Sequence, residues 1–187
     1  PETLFTRRKL SVEEIVEDYT SLIAELKLIN PSLKLLFTVS PIRHVRDGMH
    51  QNQLSKSTLL LAIDTLQEKF SENISYFPAY EIVLDELRDY RFYAEDMVHP
   101  SNFAVKYVWE KFIEYCIATE SLEIMNESEN IRKALQHKPF HPESFQYKSF
   151  LGQIVLKIDR LNKKYPYLDF QNEREICLIR LNQFPKG

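Results

Sequence analysis

Apolar positions follow two different spacings over the first 117 residues, helical in some stretches and continuous in others. Ser11 and Glu14 form a capping-box pattern in front of the first helical stretch, which ends at Asn30-Pro31. The run 33–39 is almost continuously apolar and predicts a strand that is buried on both faces. The other predicted elements are a polar loop over 43–55, a helix through Phe70, a strand over 74–77, a short helix over 80–87, a loop over 91–99 and a helix that begins after Ser101.

This alternation of helices and strands is typical of a parallel sheet flanked by helices. Two strands are too few for a complete domain of that kind, and a strand as apolar as 35–39 needs neighbours on both edges. We therefore expect residues 1–117 to form the carboxyl-terminal half of a larger α/β domain. The presence of Pro1 in place of Met and the content of only three glycines agree with a missing amino-terminal portion.

The pattern changes after residue 117. Residues 120–137 and 143–164 have the charged, amphipathic spacing of two helices, and Lys-Pro-Phe-His-Pro at 138–142 separates them. We expect residues 118–187 to be a helical carboxyl-terminal extension, a hairpin that packs on the α/β part or on a partner.

Composition and charge limit the function. The chain has 187 residues, with 24 basic and 27 acidic side chains and a net charge of -3, which argues against a broad nucleic-acid-binding face. Its apolar runs are far shorter than the roughly 20 residues that a membrane span needs. Two cysteines give neither a disulfide framework nor metal-ligand spacing. We expect a reduced, cytoplasmic protein without a metal or other cofactor.

The clearest candidate chemistry is Asp96-x-x-His99, in the loop before the last helix of the first part. A histidine acts as a general base when a carboxylate orients its ring, and a loop holds both groups on one side. The alternative is that both residues are only the polar start of the next helix.

Four more residues are candidates for substrate binding. Ser40 follows the apolar strand at its carboxyl end, where functional groups of parallel sheets collect, although no nucleophile-elbow motif surrounds it. Arg43 and His44 suit an anionic group of a substrate, or else form a solvated loop held by ion pairs. Asn52 is either a turn residue or a donor in the site.

Several long blocks carry a family resemblance, among them "FTVSPIRHVRDGMHQNQLSKSTLLLA", "YFPAYEIVLDELRDYRFYAEDMVHPS" and "RKALQHKPFHPES". They resemble the carboxyl-terminal half of the bacterial GSCFA domain family, which is similar to SGNH-type hydrolases. The resemblance implies a flavodoxin-like, three-layer α/β/α fold. It also implies that His99 is the base and Asp96 its orienting acid. The Gly-Ser-Cys-Phe-Ala stretch, whose serine would be the nucleophile, does not occur in these 187 residues.

Two functions follow from this resemblance. The first is a hydrolase of an ester or acyl bond, with a small-molecule or saccharide acyl ester as its substrate, and with the nucleophile and oxyanion hole upstream of Pro1. These 187 residues would then be inactive by themselves. The second is a non-catalytic module that binds a partner through the 43–56 loop or the helical hairpin. In both cases an open sheet edge predicts self-association.

Overall fold

The chain divides into two units, and the division falls between Cys116 and Ile117. The computed structural model describes residues 8–184. The first unit contains α1 (Val12–Ile29), β1 (Leu35–Phe37), α2 (Met49–Lys69), β2 (Ile74–Tyr76), α3 (Ala79–Glu81) with a π-helical turn (Ile82–Glu86), a 3-10 turn (Tyr90–Phe92) and α4 (Asn102–Cys116). The second contains α5 (Thr119–Gln136), α6 (Phe145–Lys164) and α7 (Gln171–Asn182). No helix in residues 8–184 combines the length and the apolar character that a membrane span requires.

The predicted capping box at the start of α1 is confirmed. The backbone N–H of Glu14 donates to Ser11 Oγ over 3.2 Å, and the Glu14 carboxylate accepts the Ser11 backbone N–H over 2.8 Å. Two N–H groups that the first turn leaves without helical partners are thereby satisfied. The helix ends at Ile29, before the predicted stop at Asn30-Pro31.

The two strands pair in parallel, with Leu35 opposite Ile74. One face of this pair is covered by α1 and α2, because Ile23 and Leu66 pack with Ile74 in a buried cluster that also takes in Leu35. On the other face Leu36 is 45% exposed. The prediction that this strand is buried on both faces is wrong, since burial alternates along it.

The predicted three-layer α/β/α, flavodoxin-like parallel-sheet domain is also wrong for residues 8–184. They contain one sheet of two strands with three residues each, and most of the chain is helical. Strand β1 ends at Phe37. Strand β2 cannot extend much further, because Pro78, which follows it closely, has no N–H to donate. Helix α2 also begins six residues before the end of the predicted 43–55 loop, directly after Gly48, whose φ of 83° suits glycine.

The second unit contains a third helix, α7, in addition to α5 and α6, which correspond to the two predicted helices. Its buried cluster joins Ile131 on α5, Leu151 and Ile158 on α6, and Cys177 on α7. The sequence pattern did not indicate α7, because its apolar residues 176–179 are continuous and do not follow helical spacing.

The free edge of β1 generates a prediction about self-association. Leu35 N–H donates to Asn73 O and Phe37 O accepts from Phe77 N–H, so the intervening N–H of Leu36 points away from β2. We expect a second chain to pair there. Leu36→Pro removes this N–H without removing a bond to β2, and sedimentation velocity over a concentration series should show weaker association. Leu36→Thr, which keeps the N–H, is the control. A wild-type chain that stays monomeric at every concentration would contradict the prediction.

Candidate active site

The segment between Tyr93 and Pro100 forms a tight loop, closed by an antiparallel bridge between these two residues. Inside it, Ala94 N–H donates to His99 O over 2.8 Å, and Met97 N–H donates to Ala94 O over 3.0 Å. Met97 has a φ of 58°, in the left-handed region that non-glycine residues seldom occupy. Backbone strain of this kind is often found at functional sites.

Asp96 is the centre of this loop. Its Oδ1 accepts the backbone N–H groups of Val98 and His99 over 2.9 and 3.0 Å. Its Oδ2 lies 2.6 Å from Nδ1 of the His99 ring. The backbone hydrogen bond from His99, then the ring of His99 and then the N–H of Val98 lower the pKa of the Asp96 carboxyl to about 2. Asp96 is therefore ionised over the whole neutral range.

The His99 ring is oriented by this contact. Its side chain is 57% exposed, and among residues 8–184 its only hydrogen-bond partner is the Asp96 carboxylate. With Nδ1 donating to Asp96, the lone pair of Nε2 remains available to accept a proton. A carboxylate contact of this kind fixes the tautomer of a histidine ring, and a catalytic role for the pair stays a prediction.

Arg43 lies in the segment between β1 and α2 and forms hydrogen bonds with this loop. Its backbone N–H donates to Val98 O over 3.2 Å, and its Nη1 donates to Met97 O over 3.0 Å. The guanidinium also lies 4.1 Å from the centre of the buried Tyr93 ring, in a cation–π contact. The structure thus places one of the predicted substrate-binding residues directly beside the Asp96–His99 pair.

The other three predicted substrate-binding residues lie in the segment that leads into α2. Asn52 is buried, and its Oδ1 accepts the His44 backbone N–H over 2.8 Å. The His44 ring lies 3.4 Å from the Asp47 carboxylate. Ser40 Oγ accepts the Ile42 N–H over 3.2 Å, and no hydrogen bond between Ser40 and His99 occurs in the described part of the chain. Substrate binding by these residues stays a prediction.

Sequence reasoning missed Lys56. It is only 8% exposed, and its Nζ donates to Ser40 O over 2.5 Å, which links α2 to the segment that follows β1. Burial lowers the pKa of its ammonium group. Lys56 lies four residues after Asn52, on the same face of α2. The available signal was this spacing, which the assignment of 43–55 to a loop concealed.

No three His, Cys, Asp or Glu side chains come together as metal ligands would within residues 8–184. At 2.6 Å, the contact between Asp96 and His99 is shorter than the 3.4 Å contact between His44 and Asp47. The chemistry that it supports is proton transfer at Nε2 of His99.

The pKa of Asp96 generates a pH prediction. Because its pKa falls from the ordinary 3.8 to about 2 on folding, the ionised carboxylate stabilises the loop above pH 3.8, and this contribution is lost as pH falls through 2. In an NMR titration the amide signals of Val98 and His99 should move with a midpoint near 2. Asp96→Asn should abolish that movement. A midpoint at the ordinary 3.8 would contradict the hydrogen-bonding account.

Comparison with known proteins places the chain in a family. The GSCFA family matches residues 1–112, and the C-terminal domain of the GSCFA domain protein matches residues 128–183. No curated protein and no solved structure matches the chain. The first match covers more than half of the 187 residues and includes the whole Asp96–His99 loop. The chain therefore belongs to the GSCFA family.

Proposed function

We propose that this chain supplies the acid–base pair of a hydrolase that cleaves an ester or acyl bond. The observation that carries the proposal is the 2.6 Å contact between Asp96 Oδ2 and Nδ1 of His99. The contact leaves Nε2 as the proton acceptor on an exposed ring.

In the proposed mechanism, Nε2 of His99 takes the proton of a hydroxyl nucleophile as that oxygen attacks the acyl carbon. The Asp96 carboxylate holds the ring and stabilises the imidazolium that forms. The same proton then passes to the leaving oxygen, and a water molecule, deprotonated by Nε2, attacks the acylated nucleophile, which releases the acid and regains its proton from His99. By the resemblance to SGNH-type hydrolases, the nucleophile is a serine outside these 187 residues, as are the donors of the oxyanion hole.

The surroundings of the pair support a small-molecule or saccharide acyl ester as the substrate. His99 and Asp96 are both about half exposed, so an ester can reach them without an opening of the fold. Arg43 and His44 are proposed as substrate contacts because they lie on the adjoining segment. Ser40 and Asn52 hydrogen-bond to the backbone of that segment, which supports a role in holding it in place.

The test is the rate of the intact protein that contains this chain, with acyl esters and acetylated sugars as substrates. His99→Ala should lower kcat by about 10²–10⁴-fold, because the general base is lost while no core cavity opens. Asp96→Asn should reduce the rate strongly as well. The two losses should overlap when the variants are combined, since the residues act as a unit.

Two controls separate a loss of chemistry from a loss of folding. His50→Ala removes another exposed histidine of the same unit, at the start of α2, and should leave the rate unchanged. Tyr107→Phe removes a hydroxyl that donates to Glu86 over 2.6 Å, and should also change little. Undiminished turnover by a folded His99→Ala variant would favour the non-catalytic binding module instead.

A further inference from the structure

A cleft of about 200 Å³ lies against the loop that carries Asp96 and His99. Two arginines, Arg43 and Arg88, and two tyrosines, Tyr90 and Tyr93, line it. The remaining lining side chains are aliphatic. A cleft of this size accepts one charged group with a short chain and is too small for a folded partner.

Arginine is the only acidic or basic residue type among the side chains that line this cleft. No carboxylate lines it, and neither arginine forms an ion pair with an acidic side chain in residues 8–184. A guanidinium stays charged at every physiological pH and offers five N–H donors in a planar fork. Two such groups around one small cleft therefore favour an oxyanion, which each of them binds with charge-assisted hydrogen bonds.

Arg43 is held in place before any ligand arrives. Its guanidinium lies over the Tyr93 ring, and Nη1 uses one donor on Met97 O, which leaves other N–H donors for a ligand. Tyr93 is buried, so the surface that supports the guanidinium does not shift readily. An arginine held in this way loses less side-chain entropy on binding.

The cleft and the proposed base share the same loop. The backbone oxygen of Met97 accepts a hydrogen bond from the Arg43 guanidinium, and Met97 lies between Asp96 and His99 in the sequence. Val98 O accepts the backbone N–H of Arg43. Arg43, which lines the cleft, is therefore hydrogen-bonded to the two residues that precede His99.

We propose that this cleft binds a carboxylate or phosphate group of the substrate, between Arg43 and Arg88. The preferred substrate is then an ester that carries an anionic group a short distance from the bond that is cleaved. This inference rests on the proposed function for its substrate, whereas the binding of an oxyanion in the cleft can be tested without turnover.

Binding is tested by NMR on the whole chain, with inorganic phosphate and succinate as probes and with sodium chloride holding the ionic strength constant. The Nε–H signals of Arg43 and Arg88 should shift and saturate. Arg88→Met should weaken the affinity about tenfold, the effect of losing one charge-assisted contact. The probe that saturates at the lower concentration identifies the oxyanion as a phosphate or a carboxylate.

Arg88 is the informative position because its loss leaves the contacts of Arg43 with Met97 and Tyr93 intact. Arg91→Met is the matched control, since Arg91 lies outside the cleft, with its Nε 3.9 Å from Asp89 Oδ1. An affinity that is unchanged in Arg88→Met, or one that falls equally in Arg91→Met, would overturn the proposal. So would the absence of a saturable shift in the wild-type chain.

Turnover distinguishes this proposal from the one on which it rests. The intact protein is assayed with p-nitrophenyl hemisuccinate and with its uncharged methyl ester. Arg88→Met should raise KM for the hemisuccinate alone and leave kcat unchanged, while His99→Ala should lower kcat for both esters. If Arg88→Met leaves KM for the hemisuccinate at its wild-type value, the assignment of the cleft to the substrate is overturned. If neither ester is cleaved while phosphate still saturates the cleft, the hydrolase proposal fails and oxyanion binding stands.

Discussion

The carboxylate of Asp96 is the group on which the candidate site depends. Its two oxygens accept three hydrogen bonds, two from backbone N–H groups and one from the His99 ring. These bonds close a loop in which Met97 takes up a left-handed conformation, at a cost of the order of 1 kcal/mol. An apolar residue at position 96 would leave these donors unpaired and the ring free to rotate, and asparagine would remove the negative charge that faces Nδ1 of His99. One side chain thus determines both the shape of the loop and the tautomer of the base.

The position of that loop depends in turn on the packing of α1 and α2 against the sheet. Helices α1 and α2 pack against one face of β1 and β2, and Ile23, Leu66 and Ile74 are buried between them. Lys56 and Asn52, both buried on α2, then hold the segment that follows β1 by its backbone. Arg43, in the middle of that segment, donates to the carbonyl of Met97, 54 residues further along the chain. The core, the segment after β1 and the Asp96–His99 loop therefore form one continuous set of contacts.

The second unit is stabilised by contacts of its own. Its core joins three helices, and Arg180 on α7 donates to Leu135 O at the end of α5. Ion pairs also connect α5 with α6, for example between Lys157 and Glu127 at 2.6 Å. All the residues of the candidate site and the arginine cleft lie in the first unit. The match of a separate C-terminal domain to residues 128–183 agrees with a unit that has its own core.

Local spacing in the sequence determined the features that need only near neighbours. The capping box of Ser11 and Glu14 and the Asp96–His99 contact each join residues three positions apart, so a short stretch of chain contains all the required groups. The tertiary structure alone decided the exposure of Leu36, the burial of Lys56, the existence of α7 and the approach of Arg43 to Met97. Each of these depends on which surfaces distant elements cover. An apolar run predicts that a strand will be buried on at least one face. Whether the second face is also covered depends on the packing of elements far away in the sequence.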